Sequence, residues 1–296
     1  MSSAVPAYWE AAVCIPPVSH HAEGPLWDPR GDTLIWVDQY AGLVRSATPE
    51  GTSFLLRPPI AFDGPVGAVV GDVRGGWLVA AADGLWSLSP EGTVSPVVDV
   101  LPRDGVHRRM NDGKVDPAGR FWFGTMAMDK RSGAGSLYAL DQGVVTEAVP
   151  EVTISNGLAW SPDGSTMHYI DTPTHRIDRY LTEGSALRRD GSLDLSSRPG
   201  SPDGMTIDDE GALWVAMWGA SAVHRYDPSG ELIGVVHVDA PQVSSVTFGG
   251  PDLDTLFITT SREDYSPADA AAHPLAGALF QARPGVRGTA AVLYRP

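Results

Sequence analysis

Four oxygen-bearing side chains, Glu23, Asn111, Asn156 and Asp203, each stand eight residues ahead of a glycine, at positions 31, 119, 164 and 211. If those glycines mark one turn of a repeated unit, the four side chains hold one place in each unit and converge. Two carboxylates and two carboxamides form a hard donor set that suits Ca²⁺ first and Mg²⁺ or Mn²⁺ next, with waters completing about six to eight oxygens. Zn²⁺ can also bind such a set, although no histidine supports it. Two carboxylates forced together repel unless a cation sits between them. Loop capping by Asn or Asp beside Gly is the ordinary explanation for one such residue. It does not account for one offset in four units.

Other chemistries find less support. Cys14 is the single cysteine, which leaves neither an internal disulfide nor a thiolate metal site and fits a reducing compartment. The eight histidines form no His-x-x-x-His pair, and His107 and His175 read as solvated loop residues. No Gly-x-Ser-x-Gly element marks a serine nucleophile. A formal charge of −15, a pI near 4.8 and the lack of any basic run argue against nucleic acid as a partner. No segment approaches the roughly 20 apolar residues of a membrane span, and the first residues lack the basic start of a leader. A cytoplasmic protein without a membrane partner is the expectation; oligomeric state has no sequence signal.

The units that must position the donors are legible as a repeat. A turn followed by an apolar, β-rich run recurs as DPRGDTLIWVD, DVRGGWLVAAA, DPAGRFWFGTM, SPDGSTMHYID and DDEGALWVAMW, with a degenerate sixth copy in PDLDTLFITTS. The anchors Gly31, Gly75, Gly119, Gly164, Gly211 and Leu253 lie 42 to 47 residues apart, the length of a four-stranded propeller blade with its loops. The 33 glycines and 25 prolines suit many short strands and tight turns. The spacing predicts an all-β, six-bladed β-propeller in which 1–296 form one domain. The segments YWEAAVCIP and GALFQARPGVRGTAAVLYRP are expected to pair in the last blade and close the ring. Residues at one offset on the innermost strands then circle the axis; in the second and sixth units the offset falls on Gly67 and Ser245. Trp36, Trp77, Trp122, Trp160 and Trp214 recur near the turns and read as packing between blades.

Four stretches carry a family resemblance: His21-Ala22-Glu23-Gly24-Pro25-Leu26-Trp27, Arg109-Met110-Asn111-Asp112-Gly113-Lys114-Val115-Asp116-Pro117-Ala118-Gly119-Arg120, Ile154-Ser155-Asn156-Gly157-Leu158-Ala159-Trp160-Ser161 and Pro202-Asp203-Gly204-Met205-Thr206-Ile207-Asp208. Over nearly its whole length the chain resembles the SMP-30, regucalcin and gluconolactonase family. The resemblance implies a six-bladed propeller with one metal held by Glu23, Asn156 and Asp203, and Asn111 at or just beyond the metal's ligands. It also implies substrate contacts from Arg109 and from an acidic position matched by Asp129, where the family often has Glu. The shorter Asp129 leaves the substrate open.

The chemistry that follows is hydrolysis of a small lactone, most simply an aldonolactone: a cation polarises the carbonyl, and Asp203 accepts the proton of an attacking water. Asp203 as ligand alone is the alternative. Asp38 and Asp171, seven residues after their anchors, are expected to return to the metal end as supporting partners, whereas Lys114 reads more simply as bonded within its own turn. Loops near 125–135 and 262–275 are expected to cover the metal end, the latter as a short flap. Two other functions stay open, a hydrolase of a phosphotriester or specialised metabolite and a non-catalytic calcium-binding propeller.

Overall fold

All six anchor residues close the same turn. In the computed structural model, which describes residues 5–183 and 186–296, the amide of Gly31, Gly75, Gly119, Gly164, Gly211 or Leu253 donates to the carbonyl three residues earlier, on Asp28, Asp72, Asp116, Ser161, Asp208 or Gly250. Leu253 shows why the sixth copy belongs with the rest. It adopts φ +55°, a conformation usually left to glycine, and completes the turn without one.

Each turn joins the inner strand of a blade to its second strand. The inner strands are Ala22–Asp28, Val66–Gly71, Arg108–Val115, Ser155–Trp160, Ser201–Ile207 and Val243–Gly249. Each begins its own antiparallel sheet, giving six sheets and a six-bladed β-propeller. Second strands such as Phe121–Ala127 are buried along their length, because neighbouring blades cover both faces; the outer strand Val144–Val152 is largely exposed. This explains the continuous apolar runs after each turn. The apolar core is correspondingly divided into six clusters among the described residues, one at each blade interface. Trp36, Trp122 and Trp214 are fully buried in these layers, and Trp77 is half-buried with its indole N–H on Asp28.

Ring closure departs from the expected pairing at both ends. Ala12–Ile15 pairs with Leu279–Ala282 in the last blade, as expected, but Ala7–Glu10 pairs in parallel with Leu232–His237 of the fifth blade. Only the start of the C-terminal segment enters the sheet. Beyond Ala282 the chain turns under the propeller: the Asp209 amide donates to Arg287 O, Gly288 N to Leu253 O, Tyr294 N to Gly71 O and Arg295 N to Gly119 O. Gly288 permits this path, since a Cβ there would lie 2.1 Å from Phe248 Cβ. The tail thus ties blades six, five, two and three and closes one end of the channel. The stretch that holds Pro284, Gly285 and Gly288 has no strand periodicity that would sustain a full outer strand.

No described helix is long and apolar enough to cross a membrane. The expected flap contains the short helix Pro267–Ala272, begun by a reciprocal cap between Ser266 and Asp269.

Candidate functional site

Each inner strand carries a register shift near its entry to the ring: between Glu23 and Leu26, Val66 and Ala68, Met110 and Gly113, Ser155 and Leu158, Pro202 and Met205, and Val243 and Ser245. An extra residue re-aims the side chains around it. This irregularity coincides with the offset read from the sequence, and Glu23, Asn111, Asn156 and Asp203 all line one polar pocket at the end of the channel away from the tail. The pocket encloses about 170 Å³. Gly157 and Gly204 follow two of the donors, and a Cβ at either would strike the next blade, 2.6 Å from Asp203 O and 2.1 Å from Ser245 Oγ. Glycine there lets adjacent inner strands approach.

The donors are held by their neighbours. Asn111 Nδ2 donates to Asn156 Oδ1 at 2.9 Å and to Ser155 O at 2.6 Å. Asn156 Nδ2 donates to Thr172 Oγ1, which donates to Pro202 O, linking blades four and five. Asp38 and Asp171 share a third supporting role. Asp38 accepts from the amides of His20 and His21, Asp171 from those of Thr153 and Ile154, in each case two and three residues before a donor. They fix the strand entries and do not touch Glu23 or Asn156 through these bonds.

Burial, followed by the negative charge of Asp112, pushes the Glu23 carboxyl up to about 8 in the cation-free protein. Burial, then Glu23, Asp112 and Glu263, holds Asp203 well above the usual carboxylate range. Among the described residues no hydrogen-bond donor engages Asp203, and neither Glu23 nor Asp203 forms an ion pair. Two buried carboxylates with free lone pairs, beside the Asn156 amide oxygen, fit a divalent oxygen-seeking cation. No three described His, Cys, Asp or Glu side chains gather as a metal-binding group, so this donor set depends on its asparagine.

Arg109 joins the ring to the mouth. Its Nη1 donates to Asn111 Oδ1 at 2.6 Å and its Nη2 to the Tyr40 hydroxyl at 3.1 Å, with the guanidinium 4.9 Å from the Tyr40 ring centre. Tyr40 in turn donates to Glu263 Oε1 at 2.7 Å, and Lys130 Nζ lies 3.2 Å from the same oxygen. The loops expected over the metal end therefore meet at the pocket through Lys130 and Glu263.

Two sequence-based expectations land elsewhere. Asp129 is exposed and paired with Arg131, outside the pocket lining, while the next residue, Lys130, faces inward. The tight Asp129–Arg131 pairing, two residues apart, turns that carboxylate along its own loop. Lys114 does not bond within its turn. It lies in the inner strand of blade three, reaches Met205 O of blade five at 2.7 Å, and lines a second cavity of about 240 Å³ between the donor ring and the tail. Asp112 lines the same cavity, and burial lowers the Lys114 pKa.

Tyr40, Glu263, His21, Thr172 and Gln242 were not singled out by sequence reasoning. His21 was visible as the first residue of the His-Ala-Glu-Gly-Pro stretch. Burial holds its imidazole well below the ordinary value, and its Nδ1 lies 2.8 Å from Ser261 Oγ.

A six-bladed propeller with an axial ring of oxygen donors defines the class. Residues 21–262 match the model of the SMP-30/gluconolactonase/LRE-like region, and the chain belongs to that family. Among curated proteins it is similar to a 6-deoxy-6-sulfogluconolactonase of Pseudomonas putida, 33% identical over 92% of this chain and 94% of the relative. It is also similar to pentonolactonase XacC of Haloferax volcanii, 34% identical over 88% of this chain and 89% of the relative. The structure of regucalcin, a calcium-binding protein of Agrobacterium tumefaciens, superimposes with a TM-score of 0.91 over 99% of this chain and all of that one, at 28% identity.

Proposed function

We propose that this protein is a metal-dependent lactonase that opens a small sugar lactone, with Glu23, Asn156 and Asp203 holding one divalent cation. Ca²⁺ is the first choice for the donor set, and Mg²⁺, Mn²⁺ and Zn²⁺ are the alternatives. The observation that carries this reading is the continuity of the donor ring with a charged, partly buried mouth through Asn111, Arg109 and Tyr40. A site that only stored a cation would need no such wall. Relatives named as lactonases of a sulfonated gluconolactone and of pentonolactones, matched over most of their length, support the same class.

A cation bound there would polarise the lactone carbonyl and stabilise the negative charge that develops on its oxygen. The chain's own groups do the rest. The Asp203 carboxylate, which lines the pocket and has no hydrogen-bond donor among the described residues, accepts one proton as water oxygen bonds to the carbonyl carbon. When the tetrahedral adduct collapses, the ring C–O bond breaks and the proton passes to the departing alkoxide. The product is a hydroxy acid, which loses its own proton to solvent. Arg109 holds Asn111 and lines the pocket, where its guanidinium meets a substrate oxygen. Asp129 is left out of this assignment because it faces away from the pocket.

The test is acid release at constant pH from five- and six-membered sugar lactones, with chelator-treated protein and each cation restored separately. The expected result is cation-dependent turnover that disappears in Asp203→Ala. Binding of the cation without turnover of any lactone would overturn the assignment.

A further inference from the structure

One residue of the pocket wall, Glu263, is joined to Arg109 through the Tyr40 hydroxyl and carries several restraints. The Glu263 amide donates to Ser261 Oγ, its carbonyl accepts from Gln242 Nε2, and its carboxylate accepts from Tyr40 OH and Lys130 Nζ. Its side chain is only 13% exposed although it sits in a loop. His21 Nδ1 lies 3.6 Å from the second carboxylate oxygen and 2.8 Å from Ser261 Oγ. Lys130 is shared between Glu263 and Asp264, which lies 3.8 Å away.

Two buried polar atoms among the pocket-lining residues lack partners in the described structure, the acceptor Gln242 Oε1 and the donor Arg109 Nε. A hydroxyl can satisfy both kinds of group, whereas an anionic substituent offers only acceptors. The charges of the lining agree. Glu23, Asp203, Glu263 and Asp264 face Arg109 and Lys130, so a divalent cation brings the pocket to neutrality and leaves no positive charge for an anion. Both cationic side chains are already engaged, Arg109 with Asn111 and Tyr40, Lys130 with the two carboxylates.

We infer that Glu263 is a specificity-determining residue that makes the pocket select uncharged, hydroxyl-rich lactones and reject anionic ones, while positioning Arg109 through Tyr40. This rests on the lactonase reading. It is tested by comparing kcat/KM for a neutral hexono-1,5-lactone and its 6-phosphorylated counterpart in the cation-loaded protein, in wild type, Glu263→Gln and Lys130→Gln. Wild type favours the neutral lactone. Glu263→Gln, which keeps the shape and hydrogen bonds but removes the charge, narrows the preference by about tenfold, mainly through KM for the anionic lactone. Lys130→Gln widens it by several-fold. If Glu263→Gln fails to fold, the Lys130→Gln ratio decides alone. A preference unmoved by these substitutions, or equal use of both lactones by wild type, overturns the role of Glu263. Failure of wild type to open either lactone refutes instead the underlying function.

Discussion

Blades four and two carry the same irregularity at the same place and use it differently. In blade four the shift between Ser155 and Leu158 presents Asn156 to the pocket; in blade two the shift between Val66 and Ala68 falls on Gly67. A Cβ on Gly67 would lie 2.5 Å from the Met110 carbonyl carbon and 2.7 Å from the Asn111 nitrogen. The backbone of blade three fills the space that a side chain would need. The bulge is thus a feature of the scaffold, present in every blade, and the chemistry depends on which blades leave room for a donor. Four place a carboxylate or a carboxamide there, whereas at Gly67 the backbone of blade three takes up the room.

The sharpest way to break this contrast is to empty a donor position. Asp203→Ala is expected to lose measurable cation binding by calorimetric titration and to reduce lactone turnover by more than about a hundredfold, beyond the usual cost of removing a supporting partner. Unchanged cation affinity would remove Asp203 from the ligand set. The reverse change fills the vacant position. Gly67→Val is expected to lower stability by about 1–3 kcal/mol in denaturant unfolding, because the neighbouring backbone must move. A variant as stable as wild type would show that blades two and three are less tightly apposed.

The same contrast explains what could be read before any coordinates. The six blades were legible because each anchor residue closes one hydrogen-bonded turn, so a backbone requirement repeats in the sequence. The convergence of Glu23, Asn111, Asn156 and Asp203 on one pocket was legible because the bulges lie at similar distances from that turn. Glu263 and Tyr40 were not, since they belong to loops between strands and obey no repeat; only the folded ring brings residue 40 of blade one to residue 263 of blade six. Asp129 failed for a related reason: in an irregular loop, one residue of register separates the outward Asp129 from the inward Lys130. The path of the C-terminal tail left no mark in the sequence because its residues pack across the channel end rather than along a sheet, and such packing has no period.

Protonation separates donor blades from the others more gently. The folded pKa of Glu23, about 8 against an ordinary 4.5, is raised, and Asp203 is raised as well. The folded, cation-free state therefore holds protons that the unfolded chain has released. Stability from this source is complete below the unfolded value and is lost as pH rises through about 8. The melting temperature of the chelator-treated protein is expected to fall between pH 5 and pH 8, and saturating Ca²⁺ to reduce that fall by replacing the protons. Glu23→Gln should flatten the profile in the absence of cation. Parallel profiles for variant and wild type would mean that Glu23 is not the titrating group.

The smallest effect belongs to the sixth blade, where the offset falls on Ser245, a residue that lines the cavity on the tail side of the donor ring. Burial and then the charge of Asp112 raise the Glu23 pKa, and the neighbouring Ser245 side chain works weakly in the other direction. Blade six would then serve the ring by tuning a donor on blade one instead of contributing a ligand. Ser245→Ala should raise the Glu23 pKa slightly, so that at neutral pH more of the carboxyl is protonated and the cation must displace more protons on binding. An affinity loss of about threefold, the scale of one partly solvated hydrogen bond, is expected at pH 7 and should shrink toward nothing at pH 9, where Glu23 is ionised in both proteins. Calorimetric titrations at the two pH values check this. A loss that persists undiminished at pH 9 would place the Ser245 hydroxyl among the groups that hold the cation, and blade six would join the donors.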